Sequence, residues 1–450
     1  MVIVQNLKWC NLMQYRKEIK INSKNTLTTY SPVRSKDENK EIDWQSIVGL
    51  FLSDVCNKDF NINGIDEFRS ECRLSFDGSF ERIDDFDLVG KIYFSTDDIY
   101  KISPDFLILK SKSSHIEQNN LRIADMYFNL LGSEIDFNFG DAKVNFLEKE
   151  IIRILNEKRI KKHEKYNVKE EPYLPYLSEK FKEDLIFLSK NSKYFIANIE
   201  NFLKLYGFLY SSQLALNLYF TFEEPKNQEL YFILENEKAS GERSCLKNSG
   251  YSLFFRRIQK VFPLLSINEQ IQNQFETTKP FWKLFQELDD NEENIKILKD
   301  FLEKFTIEKK FEFDAKKYND SNLKGILEGI LNIAEKQFSD KFPVENESRI
   351  PVNSRIVSTY VKKLCKDFIK YRGSAGATLV INFDFFLLLT NLCIADREKL
   401  RLNELLVEMQ SKGVYFDKKS HSEIISFYER VGNIERMSDS GDAIYVKKTI

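Results

Sequence analysis

The feature that most constrains this chain is a change of period near its C-terminus. Apolar residues recur at helical spacing up to Val431, and past Gly432 the repeat drops to two. Three helices are predicted, over 383–395, 403–412 and 420–431. In the second, Leu402, Leu405, Leu406 and Met409 form one face, Asn403 and Glu404 suit its start, and Gly413 stands where a left-handed residue ends it. In the third, Ile424, Phe427, Tyr428 and Val431 make the stripe, Ser420 and Glu423 have capping-box spacing, and Gly432 is the stop. Beyond it, Ala443 and Tyr445 point one way and Ile444 and Val446 the other, as in a strand. Asp439-Ser440-Gly441-Asp442 supplies a tight turn. Three helices closed by a two-stranded ribbon predict a winged-helix domain.

The remainder reads as helical. Gly and Pro number only 16 and 9 in 450 residues, and 42% of residues are hydrophobic, enough to bury a sizeable core. Helices are predicted over 44–55, 120–132, 143–163, 177–206, 208–220, 251–264, 280–305 and 322–338, with Ser178 as a cap after the Pro172/Pro175 break. A polar stretch, 22–43, reads as a loop or extended arm. Alternation in Arg73-Leu74-Ser75-Phe76, 88–94 and 106–109 predicts a small β element, with Asp84, Asp85 and Asp87 in a loop between its strands. Polar connectors are expected at 236–250 and 339–353. The expected fold class is therefore mainly α with a small β element: a multidomain helical body with a C-terminal winged-helix domain. The division is 1–115 (mixed α/β), 116–352 (helical body) and 353–450 (basic helix plus winged helix).

Net charge is −2, so no global excess demands a polyanion. The charge is uneven, however. Residues 353–450 hold 16 Lys+Arg against 12 Asp+Glu, and the rest holds 51 against 57. Six cysteines are widely spaced and read as reduced packing residues. The apolar run 385–395 falls well short of the ~20 residues that span a bilayer, and residues 1–5 do not begin a signal peptide. A cytoplasmic protein with no membrane partner is expected.

Motifs for chemistry are missing. There is no GxxxxGK[ST] phosphate loop, and Gly373-Ser374-Ala375-Gly376 reads as a turn before the strand-like Leu379-Val380-Ile381. His115, His163 and His421 lack metal-ligand spacing. Triplets such as Glu308-Lys309-Lys310 arise by chance in a chain that is 30% charged, and the acidic run Asp289, Asp290, Glu292, Glu293 reads as a solvated linker. No catalytic residue, metal or cofactor is expected.

Binding candidates are clearer. A helix over 354–371 is predicted to bury Val357, Tyr360, Leu364, Phe368 and Tyr371 and to present Arg355, Lys362, Lys366 and Lys370, either as a phosphate-tracking face or as a solvated surface. In a DNA-reading winged helix the third helix enters the major groove. Lys418, Lys419, His421 and Ser422 would lie at its leading end and Arg430 at its far end. Asp439 and Asp442 at the turn oppose phosphate contact, so three readings of this face stand: contact with duplex DNA, contact with a protein, or a purely structural role.

Two stretches carry a resemblance. One is Tyr30-Ser31-Pro32-Val33-Arg34 followed by Asp43-Trp44. The other runs from Thr390-Asn391-Leu392-Cys393 through Phe416-Asp417-Lys418 and Phe427-Tyr428-Glu429-Arg430 to Arg436-Met437-Ser438-Asp439-Ser440-Gly441-Asp442-Ala443. They resemble the DptG (DndG) family of DNA phosphorothioation-dependent restriction proteins, the match being specific over about a sixth of the chain, at its C-terminus. The resemblance implies a non-catalytic subunit of a three-component bacterial anti-phage defence complex. Its other two members would be ATPase-like, and the complex would act on double-stranded DNA lacking the phosphorothioate mark. Two other classes fit the residues: a stand-alone winged-helix transcriptional regulator, and a metal-dependent nuclease with an unrecognised site.

Overall fold

The computed structural model describes residues 14–450 apart from 16, 78–83, 113–114, 133–134, 136–138, 141–143, 162–169, 220, 239–242, 319–320, 340–348, 374–375 and 438–442. The N-terminal third contains α1 (Trp44–Val55), β1 (Lys58–Phe60), α2 (Ile65–Asp77), α3 (Asp84–Val89), α4 (Gln118–Leu131), α5 (Phe146–Glu157) and β2 (Arg159–Lys161). The body follows with α6 (Pro175–Ser189), α7 (Ser192–Asn217), β3 (Tyr231–Leu234), α8 (Ser244–Ser249), α9 (Tyr251–Ile258), α10 (Val261–Ile271), α11 (Phe281–Glu287), α12 (Glu292–Glu308) and α13 (Leu323–Lys336). The last hundred residues form α14 (Arg349–Thr359), β4 (Ile369–Tyr371), β5 (Ala377–Ile381), α15 (Phe383–Ile394), β6 (Lys399–Arg401), α16 (Leu402–Ser411), β7 (Tyr415–Phe416), α17 (Lys418–Val431), β8 (Ile434–Met437) and β9 (Ala443–Lys447). Helix makes up 62% of the protein, as the scarcity of Gly and Pro implied. No helix among the described residues is long and apolar enough to cross a membrane.

Where caps and periodicity agree, expectation and structure coincide. Asp43 accepts from the amides of Gln45 and Ser46, so α1 begins at Trp44. The long helices divide differently. The break expected at 207 falls instead at Asn191, whose side chain caps α7 by accepting from the Tyr194 amide. Gly207 lies inside α7, where the Tyr127 hydroxyl leaves no room for a Cβ. From Phe202 to Asn217 nearly every residue of α7 is buried, which marks it as the central helix of the body. Ser178 is not a cap: α6 starts at Pro175, and the Ser178 hydroxyl donates to the Leu130 carbonyl at 2.6 Å. The connector at 236–250 contains α8, and α14 begins within the one at 339–353. The arm at 22–43 has no helix or strand beyond a 3-10 turn at Ser35–Asp37, yet Leu27, Tyr30 and Val33 are buried.

Among the described residues, the β element expected at 73–112 is absent. Residues 73–76 belong to α2, Asp84, Asp85 and Asp87 belong to α3, Gly90–Phe94 is a π-turn and Pro104–Ser111 is a 3-10 helix. Alternation over four residues also matches such tight turns. Packing decides the outcome: Phe68 meets Phe106 at 5.7 Å and Phe94 at 6.1 Å, which helical turns allow.

The strands sit elsewhere. β1 pairs antiparallel with β2. A four-stranded sheet has the order β4-β5-β3-β7, with β4 antiparallel to β5 and β3 parallel to both neighbours. The body strand β3 thus lies between two strands from beyond residue 353, and backbone hydrogen bonds cross that boundary on both sides. One apolar core runs from Tyr15 to Val446.

At the C-terminus, α15, α16 and α17 pack with a three-stranded antiparallel sheet of order β6-β9-β8. The ribbon expected as two strands has a third, β6, too short at three residues to show a period. Val446 is buried at its centre, opposite both Leu400 and Ile434. Gly413 and Gly432 have φ of 93° and 78°, the left-handed stops that the sequence required. Leu402, Leu405, Leu406, Met409, Ile424, Phe427 and Tyr428 are buried, but Val431 at the open end of its stripe is 40% exposed. Two boundaries move. α16 starts at Leu402, with the Glu404 carboxylate accepting from the Arg401 amide. α17 starts at Lys418, capped by Asp417 rather than Ser420. The turn at 439–442 lies outside the described residues.

Candidate nucleic-acid interface

The leading end of α17 is built by a buried polar network. Asp417 accepts from the amides of Lys419 and Ser420 at 3.1 Å each. Arg243 clamps the same carboxylate, with Nε 2.7 Å from one oxygen and a second nitrogen on the other. Its remaining donors reach Glu237 Oε2 and Ser420 Oγ, each at 2.7 Å, and Ser420 Oγ donates to Glu237 Oε2 at 2.9 Å. Glu237 in turn accepts from the Leu234 amide at 2.8 Å, at the end of β3. Arg243 and Glu237 are fully buried. Burial alone would raise the Asp417 carboxyl, but the Arg243 guanidinium and the two amides hold it below the ordinary carboxylate range. A planar fork on two carboxylates fixes direction as well as distance. The first turn of α17 is therefore locked to the body. Sequence reading missed this network: Arg243 sits in a polar connector, 174 residues from Asp417 and 177 from Ser420.

On the outer side of that turn, Lys418, Lys419 and Ser422 are exposed and His421 is half-buried. Lysines here stand against the positive end of the helix, an arrangement that costs about 0.3–1 kcal/mol each and that an anion would relieve. Three cations of the adjoining sheet are already matched by carboxylates, and Arg401 donates to the Tyr445 hydroxyl at 3.0 Å. Glu435 receives Lys399 at 3.1 Å and Lys447 at 2.9 Å, and Glu429 receives Arg436 at 2.5 Å. Arg430 lies exposed at the far end, its guanidinium 5.8 Å from the Phe383 ring centre. Five candidates thus share one helix, with four gathered at its start.

The second group does not form one helical face. α14 ends at Thr359, a π-turn covers Tyr360–Leu364, a 3-10 turn covers Lys366–Phe368, and the chain then extends into β4. Arg355, Lys362, Lys366 and Lys370 are all exposed, but on four different pieces of backbone. Val357, Tyr360, Leu364 and Phe368 are buried as expected, whereas Tyr371 is 74% exposed because a strand, not a helix, carries it.

Residues that carry the resemblance do structural work. Thr390 Oγ1 and Tyr428 OH lie 2.7 Å apart, and the Tyr428 and Phe386 rings stack at 5.4 Å. Asn391 donates to Tyr194 OH at 2.7 Å and accepts from the Thr449 amide at 2.9 Å, fastening the C-terminus to α7. The Tyr30–Arg34 segment forms a folded loop. Arg34 donates to the carbonyls of Ser31, Val33 and Thr28, while Arg122 holds the Pro32 carbonyl and Asp37. Tyr30 has φ 58°, a strained value for a tyrosine, and is held by the Glu170 carboxylate on its amide at 2.8 Å and by Tyr210 OH on its carbonyl at 2.8 Å. The loop borders a cavity of about 170 Å³.

A second buried pair ties α16 to the body. Lys412 Nζ reaches both Asp184 oxygens at 2.8 and 2.7 Å, and Tyr206 OH donates to the same carboxylate at 2.5 Å. Burial pushes the Asp184 carboxyl up, against the opposing pull of Lys412 and Tyr206. The cysteines Cys72, Cys365 and Cys393 are buried, and burial raises their thiols. No group of three His, Cys, Asp or Glu residues among the described residues could hold a metal ion. The chain matches no family model and no curated protein.

Proposed function

We propose that this protein is a non-catalytic adaptor subunit of a three-component bacterial restriction complex acting on DNA that lacks phosphorothioate modification. Its C-terminal unit is a winged helix that lays α17 against double-stranded DNA, and the helical body meets two ATPase-like partners. One observation carries the DNA part of this reading: Lys418 and Lys419 stand exposed on the first turn of a helix whose start is fixed by Arg243, while Lys399 and Lys447 of the neighbouring sheet are paired with Glu435. The order helix, strand, helix, strand, helix, strand, strand, in which β7 pairs with β3 of the body and the other three strands form the sheet β6-β9-β8, supports the winged-helix assignment. The likeness of both motif stretches to the DptG family supports the complex. Sulfur in place of a phosphate oxygen is larger and accepts hydrogen bonds less well, so a backbone-reading surface has a physical handle on the mark.

The test uses the whole chain, because the body strand β3 hydrogen-bonds two strands from beyond residue 353. Duplex DNA is titrated at several salt concentrations with the protein and with Lys418→Ala/Lys419→Ala. Each lost phosphate contact should lower the slope of log affinity against log salt by about 0.9, so the double variant should lose nearly two. An unchanged slope and affinity would remove α17 from the DNA. Co-purification with the two ATPase-like subunits tests the complex separately.

A further inference from the structure

The geometry points to a second nucleic-acid surface: Tyr371, Phe255 and Tyr251 form a stacking platform for the bases of a single strand, with Lys370, Lys247 and Arg256 around it for the backbone. This surface is distinct from the α17 face. Tyr371 stands on β4, the edge strand opposite β7, after which α17 begins.

Three observations support it. First, Tyr371 stands on an edge strand with its ring 74% exposed, and Phe255 is 36% exposed on α9. The Tyr251 and Phe255 rings stack at 5.7 Å and 25°, and the Tyr251 hydroxyl is pushed up by burial first and then by the neighbouring Tyr371. The three rings are thus joined into one patch rather than scattered. Secondly, the charge around them is one-sided. Segments 243–260 and 354–376 together hold eleven basic residues and one acidic residue, Asp367, in a chain whose net charge is −2. Some of these cations are engaged: Arg243 within the network above, Lys260 with Glu335, Lys363 with Glu41, and Arg257 over the Tyr219 ring. Lys247, Arg256 and Lys370 are exposed. Thirdly, aromatic faces flanked by cations suit unpaired bases, because a duplex hides its base faces within the stack.

The experiment is a fluorescence-anisotropy titration of the full chain with labelled oligothymidylate at low salt, with a duplex of equal length in parallel. Tyr371→Ala should weaken oligothymidylate binding about tenfold and Tyr371→Phe should retain it, since stacking needs the ring and not the hydroxyl. Neither variant should change the melting temperature, because the ring is solvent-facing. Lys418→Ala/Lys419→Ala should leave oligothymidylate binding unchanged, so a failure of the α17 reading is distinguishable from a failure here. Absence of oligothymidylate binding, full binding by Tyr371→Ala, or an equal loss of duplex and single-strand binding in that variant would each overturn the proposal.

Discussion

Replacing Arg243 by alanine tests the lock on α17. The change removes four side-chain bonds at once, two to Asp417 and one each to Glu237 and Ser420. Breaking a buried pair by deleting one partner costs about 3–5 kcal/mol, since the remaining charge is stranded. Here the stranded groups keep some support. Glu237 retains the Leu234 amide at 2.8 Å and Ser420 Oγ at 2.9 Å, and Asp417 retains two amides and is 13% exposed. The expected loss is therefore at the lower end, about 3 kcal/mol at neutral pH. The pH dependence follows from Asp417. Its folded value is depressed, so its contribution is present above the unfolded value of about 4 and disappears as pH falls through the folded value. The gap between wild type and Arg243→Ala should accordingly shrink in acid. Urea unfolding followed by circular dichroism at neutral and acid pH measures it, with hydrogen exchange at the Lys419 and Ser420 amides as a local readout. Arg243→Met/Glu237→Gln removes the more buried of the two stranded charges and should recover part of the loss. A gap below about 1 kcal/mol, the range of an exposed pair, or one that does not narrow in acid, would refute the argument.

Two further outcomes are expected. Lys412→Met leaves the buried Asp184 with the Tyr206 hydroxyl and should cost about 4 kcal/mol in urea unfolding, part of which Lys412→Met/Asp184→Leu restores; a loss under about 1 kcal/mol would contradict a buried charge pair. The Glu170 carboxyl is pushed up to about 7, by burial first and then by the charges of Glu269 and Asp125, against the Tyr30 amide and Arg34. Its folded form therefore holds an extra proton, and stability falls as pH rises from the ordinary carboxylate value through about 7. Glu170→Gln still accepts from the Tyr30 amide, so it should gain about 2 kcal/mol in alkali and little in mild acid, and a pH-independent difference would refute the assignment.

The first link of the chain, from residues to local structure, was legible. Trp44–Val55 followed from an Asp cap and a helical stripe, and Gly413 and Gly432 followed from the left-handed backbone that ends a helix there. The exposure of Lys418, Lys419 and Arg430 followed as well, because the buried stripe of Ile424, Phe427 and Tyr428 assigns the opposite face to solvent. These features depend on residues within one or two turns of each other, and such spacings are written directly in the order of amino acids.

Errors arose where distant packing decided the matter. Ser420 has the spacing of a cap, yet Arg243 takes it into a network and Asp417 caps the helix instead. Tyr371 fits a helical stripe, but the chain turns at Cys365–Phe368 and Ile369 pairs with Leu379, so the ring emerges at a sheet edge. The 88–94 and 106–109 segments alternate like strands and are wound into π- and 3-10 turns around a cluster of phenylalanines. Local order thus determined the start at Trp44, the stops at Gly413 and Gly432 and the apolar faces of the last two helices. Which helix starts are locked, which strand lies between which, and which aromatic rings remain bare were decided only in three dimensions. Those outcomes depend on burial and on charge partners 174 or more residues apart, a separation over which sequence spacing carries no signal.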